Sequence, residues 1–281
     1  MTDFVTRFAP SPTGRLHLGH AASAWHVWAA AERAGGRVLL RIEDIDPGRC
    51  KPEFTDAIYE DLSWLGFDWE EPVRVQSAHF ADYEPVVSRL TDLGLTYRCF
   101  RTRSDIAEEQ AKAGLPPGTP LVGEALSAED EAARMARGDG FTWRLSLAAC
   151  REYLGDIYDG LSFTLVSPDG QHETIKAQPE LHGDINLTRK DSPTAYHVAS
   201  THDDALQGIT HVIRGEDLAD AAHIHVLLQT LMDWPRPAYT HHPLVLGPDG
   251  KKLAKRFASR SLASLREEGF TPDQVRRLAG V

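Results

Sequence analysis

The sequence predicts an α/β protein whose sheet begins as two parallel strands joined over a helix. Three stretches carry that expectation: residues 3–9 (DFVTRFA), Leu18–Ala34, and residues 37–43 (RVLLRIE). The first alternates, with Phe4, Val5 and Phe8 suited to a strand, and Pro10 and Pro12 end it. The second is rich in Ala and Trp and holds one acidic and one basic residue, the composition of a mostly buried helix, which Gly35-Gly36 stops. The third reads as a second, buried strand. Strand, Gly-containing turn, helix and strand within about forty residues form a βαβ unit, the start of a parallel, Rossmann-like sheet.

Further on, Pro52–Leu65 and Ala78–Leu93 read as amphipathic helices, the second ending at Gly94 before a strand-like LTYRCF. The texture changes at Arg101: PPGTP at 116–120, an acidic Ala-rich helix at Ser127–Arg137, and Gly138 and Gly140 suggest an inserted subdomain. AYHVAS (195–200) and ITHVIRG (209–215) read as strands returning to the sheet, and Asp217–Met232 as another long helix. After WPRP (234–237) come a Gly-Lys-rich loop and two short helices, Ser259–Glu268 and Pro272–Leu278. The expected division is a Rossmann-like domain at 1–100 and 170–240, an inserted subdomain at 101–169, and a loop-and-helix segment at 241–281.

Composition bounds the function. A chain of 281 residues, 42% apolar and 25% charged, can bury a sizeable core. Neither a signal peptide nor an apolar run of membrane-spanning length is visible, so a cytoplasmic protein without membrane contact is expected. Cys50, Cys99 and Cys150 are odd in number and widely spaced, which gives neither a disulfide framework nor a four-thiolate zinc site. A net charge of −11 argues against coating nucleic acid non-specifically. The densest basic run is Lys251, Lys252, Lys255, Arg256 and Arg260.

Two constellations carry chemistry. PSPTGRLHLGH (10–20) lies between the first strand and the first helix, where an open parallel sheet binds ligands and a helix N-terminus favours anions. His17 and His20, three apart, can project from one side of the first turn towards a phosphate, and Gly19 leaves room for a flat base. GKKLAKR (250–256) offers Lys252 and Lys255 on a Gly-started loop able to close over a triphosphate. Taken singly, surface histidines and a solvated basic loop would explain each; taken together they favour a nucleotide-handling site. Trp25 and Trp28, at helical spacing, read as core, and the His223/His225 and His241/His242 pairs as ordinary hydrogen-bonded histidines.

RFAPSPTGRLHLGH, GGRVLLRIEDID, HVIRGEDL and KLAKR together resemble the glutamyl-tRNA synthetase family of class I aminoacyl-tRNA synthetases, over most of 4–100 and 180–256. Only 25 residues follow Arg256, which resembles the shorter, glutamyl-queuosine branch that lacks an anticodon-binding domain. The resemblance implies ATP-dependent activation of L-glutamate, with Mg²⁺ on the phosphates, and transfer to the queuosine base of tRNA(Asp), by a monomer. It assigns Arg7, Ala9, Ser11, Glu43, Tyr196 and Arg214 to the glutamate pocket, and Thr13, His17, Gly19, His20, Lys252 and Lys255 to ATP, with His17, His20, Lys252 and Lys255 catalytic. Guanidinium forks suit an amino acid with two carboxylates, and Glu43 suits its ammonium. Asp44 and Asp46, beside Glu43, suit structural and tRNA-end-positioning roles, with Asp44 on the opposite strand face.

Two departures matter. Ala254 stands where the family's lysine loop usually carries Ser, so one hydroxyl contact is gone. Cys99 is followed by Phe100 and Arg101, and 102–149 contain no Cys or His, so the family's zinc site in the insertion is not expected here. Other readings are the catalytic half of a synthetase charging a tRNA 3′ end, an idle tRNA- or glutamate-binding paralogue, and a simple nucleotidyltransferase.

Overall fold

The computed structural model describes residues 4–167, 169–245 and 260–281. In chain order its elements are β1 (Val5–Phe8), α1 (Leu18–Ala34), β2 (Arg37–Ile42), α2 (Pro52–Trp64), β3 (Glu70–Val75), α3 (Glu84–Asp92), β4 (Thr96–Cys99), α4 (Arg103–Lys112), α5 (Ala128–Ala136), β5 (Thr142–Leu145), α6 (Leu147–Leu154), α7 (Asp156–Asp159), β6 (Ser162–Val166), β7 (His172–Lys176), α8 (Tyr196–Leu206), β8 (His211–Gly215), α9 (Ala221–Met232), β9 (Ala238–His242), α10 (Leu262–Glu267) and α11 (Pro272–Ala279). No described helix is long and apolar enough to cross a membrane.

β1, β2 and β3 pair in parallel, in that order. β8 pairs in parallel with β9, and β9 with β6, whose other edge takes β7 antiparallel. β8 also lies alongside β1, where the Thr210 N–H donates to Val5 O at 2.9 Å. Chain connections therefore leave β1 in both directions, β2 and β3 to one side and β8 and β9 to the other. The crevice at such a switch point is where doubly wound sheets bind ligands.

The tight start of β2 depends on Gly36: a Cβ there would sit 2.3 Å from Phe4 O. Alternation along β2 then sorts its side chains. Val38, Leu40 and Ile42 join a core with Phe8 and with α1, α2, α10 and α11. On the other face Leu39 packs against the second core, which holds Val198 and Ala199 of α8 and Val226, Leu227 and Leu228 of α9. Arg41 and Glu43 share that face. Trp25 and Trp28 both pack on Phe67, with ring centroids 5.8 and 4.4 Å away, so they are core.

Three sequence expectations need correction. AYHVAS is the start of helix α8, not a strand. Its six residues suit a strand by composition, but the helix buries Val198, Ala199, Ser200, Thr201, Asp203 and Asp204, a run too continuous and too polar to show a helical stripe, and two of its members are carboxylates that no apolar pattern reveals. Ala78–Leu93 is not one helix: a 3₁₀ turn, Gln76–Asp82, non-helical at His79, precedes α3, and Pro85 lies in the first turn of α3. In Asp217–Met232 a 3₁₀ turn, Glu216–Leu218, likewise precedes α9.

Between β4 and β8, one buried carboxylate organises the chain. Asp184 accepts from Tyr97 Oη (3.0 Å), Gly123 N (2.8 Å) and Leu147 N (2.9 Å), joining β4, the 121–124 segment and α6. Its removal leaves buried donors unpaired. Asp184→Ala is expected to destabilise the protein by about 2–4 kcal/mol in urea denaturation, and a loss under about 0.5 kcal/mol would show that the carboxylate is not the tie.

Candidate active site

The crevice between β1 and β8 is a cavity of about 470 Å³ at the N-terminus of α1. Arg7, Ala9, Ser11, Thr13, His17, Gly19, His20, Glu43, Tyr196 and Arg214 all line it. Lys252 and Lys255, with Ala254 and the rest of the lysine loop, lie outside the described residues.

The helix end is built from its own histidines. His17 is the N-cap of α1, and its Nδ1 accepts from the Gly19 N–H at 3.1 Å. His20 Nδ1 accepts in turn from the His17 N–H at 3.1 Å. This is a capping box made of imidazoles. Because each Nδ1 accepts, each neutral ring carries its proton on Nε2. Burial lowers the His17 pKa, and burial together with His17 lowers that of His20 to about 3. The rings, 3.9 Å apart, thus replace two backbone N–H donors with two imidazole N–H donors. A Cβ on Gly19 would lie 3.0 Å from the His17 ring, so the glycine makes room for the imidazole.

On the other side of the crevice, buried charges fix one another. Asp204 Oδ1 accepts from Arg7 Nε at 3.0 Å and from Arg41 Nη1 at 2.8 Å. Arg41 also donates from Nη2 to Glu43 Oε1 at 2.9 Å. Burial alone would raise the Asp204 pKa, but the two guanidinium groups outweigh it and hold the carboxyl below its usual range. Burial pushes the Glu43 carboxyl upward, with Arg41 and Arg7 pulling against it. Next to Asp204, Asp203 accepts from Gln76 and Tyr83 and pairs with Arg74 Nε at 2.9 Å. Neither hydrogen bond of Arg7, from Nε to Asp204 or from Nη1 to Ile213 O, uses Nη2.

Arg214 differs. It is 4% exposed, and none of Nε, Nη1 and Nη2 has a hydrogen-bond partner. Its guanidinium carbon lies 5.3 Å from the centre of the Tyr239 ring, a contact that offers no acceptor lone pair. With no hydrogen-bond partner among the described residues, a buried cation in that condition calls for an anion.

Several contributors carried no motif. Asp204 and Arg41 set Arg7 and Glu43 without lining the cavity, and Ser23 and His242 line it while bonded to each other, Ser23 Oγ to His242 Nε2 at 3.0 Å. A charged residue inside an apolar strand, such as Arg41, was the available signal. Asp44 faces away and binds Ser77 N (2.8 Å) and Oγ (2.6 Å), while Asp46 pairs with Arg49 and Arg189. Cys99 and Cys150 are buried free thiols, and among the described residues no three His, Cys, Asp or Glu side chains are grouped to hold a metal.

Known proteins resemble this chain along nearly all its length. Glutamyl-Q tRNA(Asp) synthetase of Rhodobacter capsulatus is 42% identical, over 99% of this chain and 100% of its own. Glutamate–tRNA ligase of Aquifex aeolicus is 37% identical over 98% of this chain, but only 56% of the ligase is covered. A glutamate tRNA ligase from Elizabethkingia meningosepticum, solved in complex with its amino acid, superposes with a TM-score of 0.79 at 27% identity, over 99% of this chain and 60% of that one. The family model of class I tRNA synthetases (E and Q), catalytic domain, matches residues 3–279, which include every residue lining the crevice. The chain therefore belongs to the class I tRNA synthetases of the E and Q type.

Proposed function

We propose that this protein activates L-glutamate with ATP to glutamyl-adenylate and transfers the glutamate to the queuosine base in the anticodon of tRNA(Asp). The observation that carries the first half is Arg214, a buried guanidinium whose three nitrogens are unpaired beside a cavity. A bidentate carboxylate satisfies it. Arg7, steadied by Asp204, offers a second cationic fork, and Glu43 supplies the negative charge that an α-ammonium needs. Tyr196 and Ser11 add hydroxyls at the same wall. The acceptor assignment is supported by a relative named glutamyl-Q tRNA(Asp) synthetase that matches end to end, whereas the glutamate–tRNA ligases extend well beyond the matched part. The same reading assigns the protein to the cytoplasm and to action as a monomer.

In this reaction the α-carboxylate oxygen of glutamate attacks the α-phosphorus of ATP, the bond to the bridging oxygen breaks, and pyrophosphate leaves. No base is needed, since the nucleophile is already ionised at neutral pH. His17 and His20 donate Nε2–H bonds to phosphoryl oxygens as charge builds on them, a task for preorganised neutral donors. Thr13 and Gly19, on the same rim, complete the ATP side. Mg²⁺ would enter as the ATP chelate and supply charge neutralisation on the phosphates. Lys252 and Lys255 are proposed to hold the β- and γ-phosphates. A hydroxyl of the queuosine ring then attacks the mixed anhydride, releasing AMP.

Radiolabelled glutamate, ATP and Mg²⁺, offered with tRNA(Asp) with or without queuosine and with tRNA(Glu), should label the queuosine-containing tRNA(Asp) alone. Label on tRNA(Glu) would instead make this a short synthetase charging the 3′ end. Arg214→Gln keeps a polar side chain and removes the charge, and should raise the glutamate KM by roughly 100-fold in pyrophosphate exchange; an unchanged KM would remove Arg214 from the glutamate site. The pH response has a definite sign. With the His20 pKa at about 3 and that of His17 lowered, both rings stay neutral as the pH drops below the ordinary histidine value; protonation, which would put a proton on Nδ1 and break the cap while leaving the Nε2–H in place, comes only at their own lowered values. Pyrophosphate exchange should hold steady from about pH 7.5 to about pH 6; a fall centred near pH 6.5 that His20→Gln abolishes would contradict the assignment.

A further inference from the structure

A second cleft, of about 640 Å³, lies behind the first, between α1, β8, β9 and the β6–β7 hairpin. The two cavities share Ile213 and His242 in their walls. Four imidazoles and a guanidinium line the second cleft: His26 and Arg33 from α1, His172 from β7, His211 from β8 and His242 from β9. No Asp or Glu is among its described lining residues, although the whole chain carries a net −11. Asp169, the acid of the hairpin turn, is bonded to the Ser167 hydroxyl.

The rings are stacked in pairs. His26 lies on His242 with centroids 4.5 Å apart, and His211 lies on Phe4 at 4.1 Å. His242 is fully engaged, Nδ1 with Pro243 O and Nε2 with the Ser23 hydroxyl. His211 uses Nδ1 on Thr210, which leaves its Nε2 as the group free to meet a ligand. Like-signed groups gathered around one space with no carboxylate between them repel one another when charged, and an added anion relieves that repulsion.

We propose that this cleft is an anion site for a phosphate group, with Arg33, His26, His172 and His211 as donors and His242 as its mechanical link to the first cavity. Through its bond to Ser23, which lines that first cavity, movement of the His242 ring is felt where the helix N-terminus meets its ligand. The site is independent of which substrate the first cavity takes. Burial, His242 and Arg33 hold the His26 pKa down to about 4, and burial and His172 lower that of His211. An anion favours their protonated forms, so binding should strengthen as pH falls.

The test is a titration of the whole protein, followed through the histidine ring signals by NMR, with inorganic phosphate in one arm and a short RNA hairpin in the other. Saturable movement of the His26, His172 and His211 signals is expected, several-fold tighter as the pH falls from about 7 towards about 5, where His26 and His211 approach their lowered values. Arg33→Glu should abolish it, and His26→Phe, which keeps a ring against His242, should weaken it several-fold. Response to phosphate alone would identify a small-anion site. Response to RNA at concentrations where phosphate is silent would identify a backbone phosphodiester as the source. No movement in either arm, or equal movement in Arg33→Glu, would overturn the proposal.

Discussion

Two arginines from adjacent strands share one carboxylate oxygen, Asp204 Oδ1, in the interior of this protein, and the shape of the crevice follows from that sharing. Arg7, Arg41 and Arg74 face Glu43, Asp203 and Asp204, three positive groups against three negative ones. Removing such charges from water is costly, and a hydrophobic replacement of equal volume would often be as stable. What the network provides is position. Arg7 and Glu43 cannot change rotamer without leaving an unpaired charge behind, so both are already oriented at the cavity wall. Arg214, whose nitrogens have no hydrogen-bond partner among the described residues, is a cation left for a ligand to neutralise.

The two faces of β2 show how one strand serves both purposes. Its even-numbered residues, Val38, Leu40 and Ile42, hold the sheet to α1 and α2, while Arg41 on the opposite face, followed by Glu43 at the strand end, reaches across to α8. The core and the site are therefore built on the same six or seven residues, with the strand's two-residue period keeping them apart. The region between β4 and α6 works by a different rule: a single carboxylate, Asp184, holds the Tyr97 hydroxyl and backbone N–H groups from separate segments.

Much of this was legible in the sequence, and the failures have a common cause. The βαβ opening could be read because its apolar runs are local and its breakers, Pro10, Pro12 and Gly35-Gly36, stand next to them. Arg7, Glu43 and Arg214 were singled out by the family resemblance of the motifs around them and not by periodicity, and the fold gathers all three around one cavity. AYHVAS could not be read correctly, since the buried face of α8 is completed by Asp203 and Asp204, whose partners Arg7, Arg41 and Arg74 come from strands more than a hundred residues earlier. A helix whose inner face is polar carries no apolar stripe to reveal its period. Asp184 was invisible for the same reason: its partners, Tyr97, Gly123 and Leu147, are brought to it only by the fold.

The capping of α1 by its own histidines ties local order to readiness for chemistry. In most helices a frayed first turn exposes a few amides and little else changes. Here the amides of His17 and Gly19 are the groups that dictate which nitrogen of each imidazole bears the proton. Once that turn opens, both rings are free to switch tautomer and rotate, and a phosphoryl oxygen approaching them meets a lone pair as readily as a proton. The exchange of those two amide protons with solvent is thus a natural gauge of the fraction of molecules whose two imidazoles hold that tautomer, readable without any ligand present.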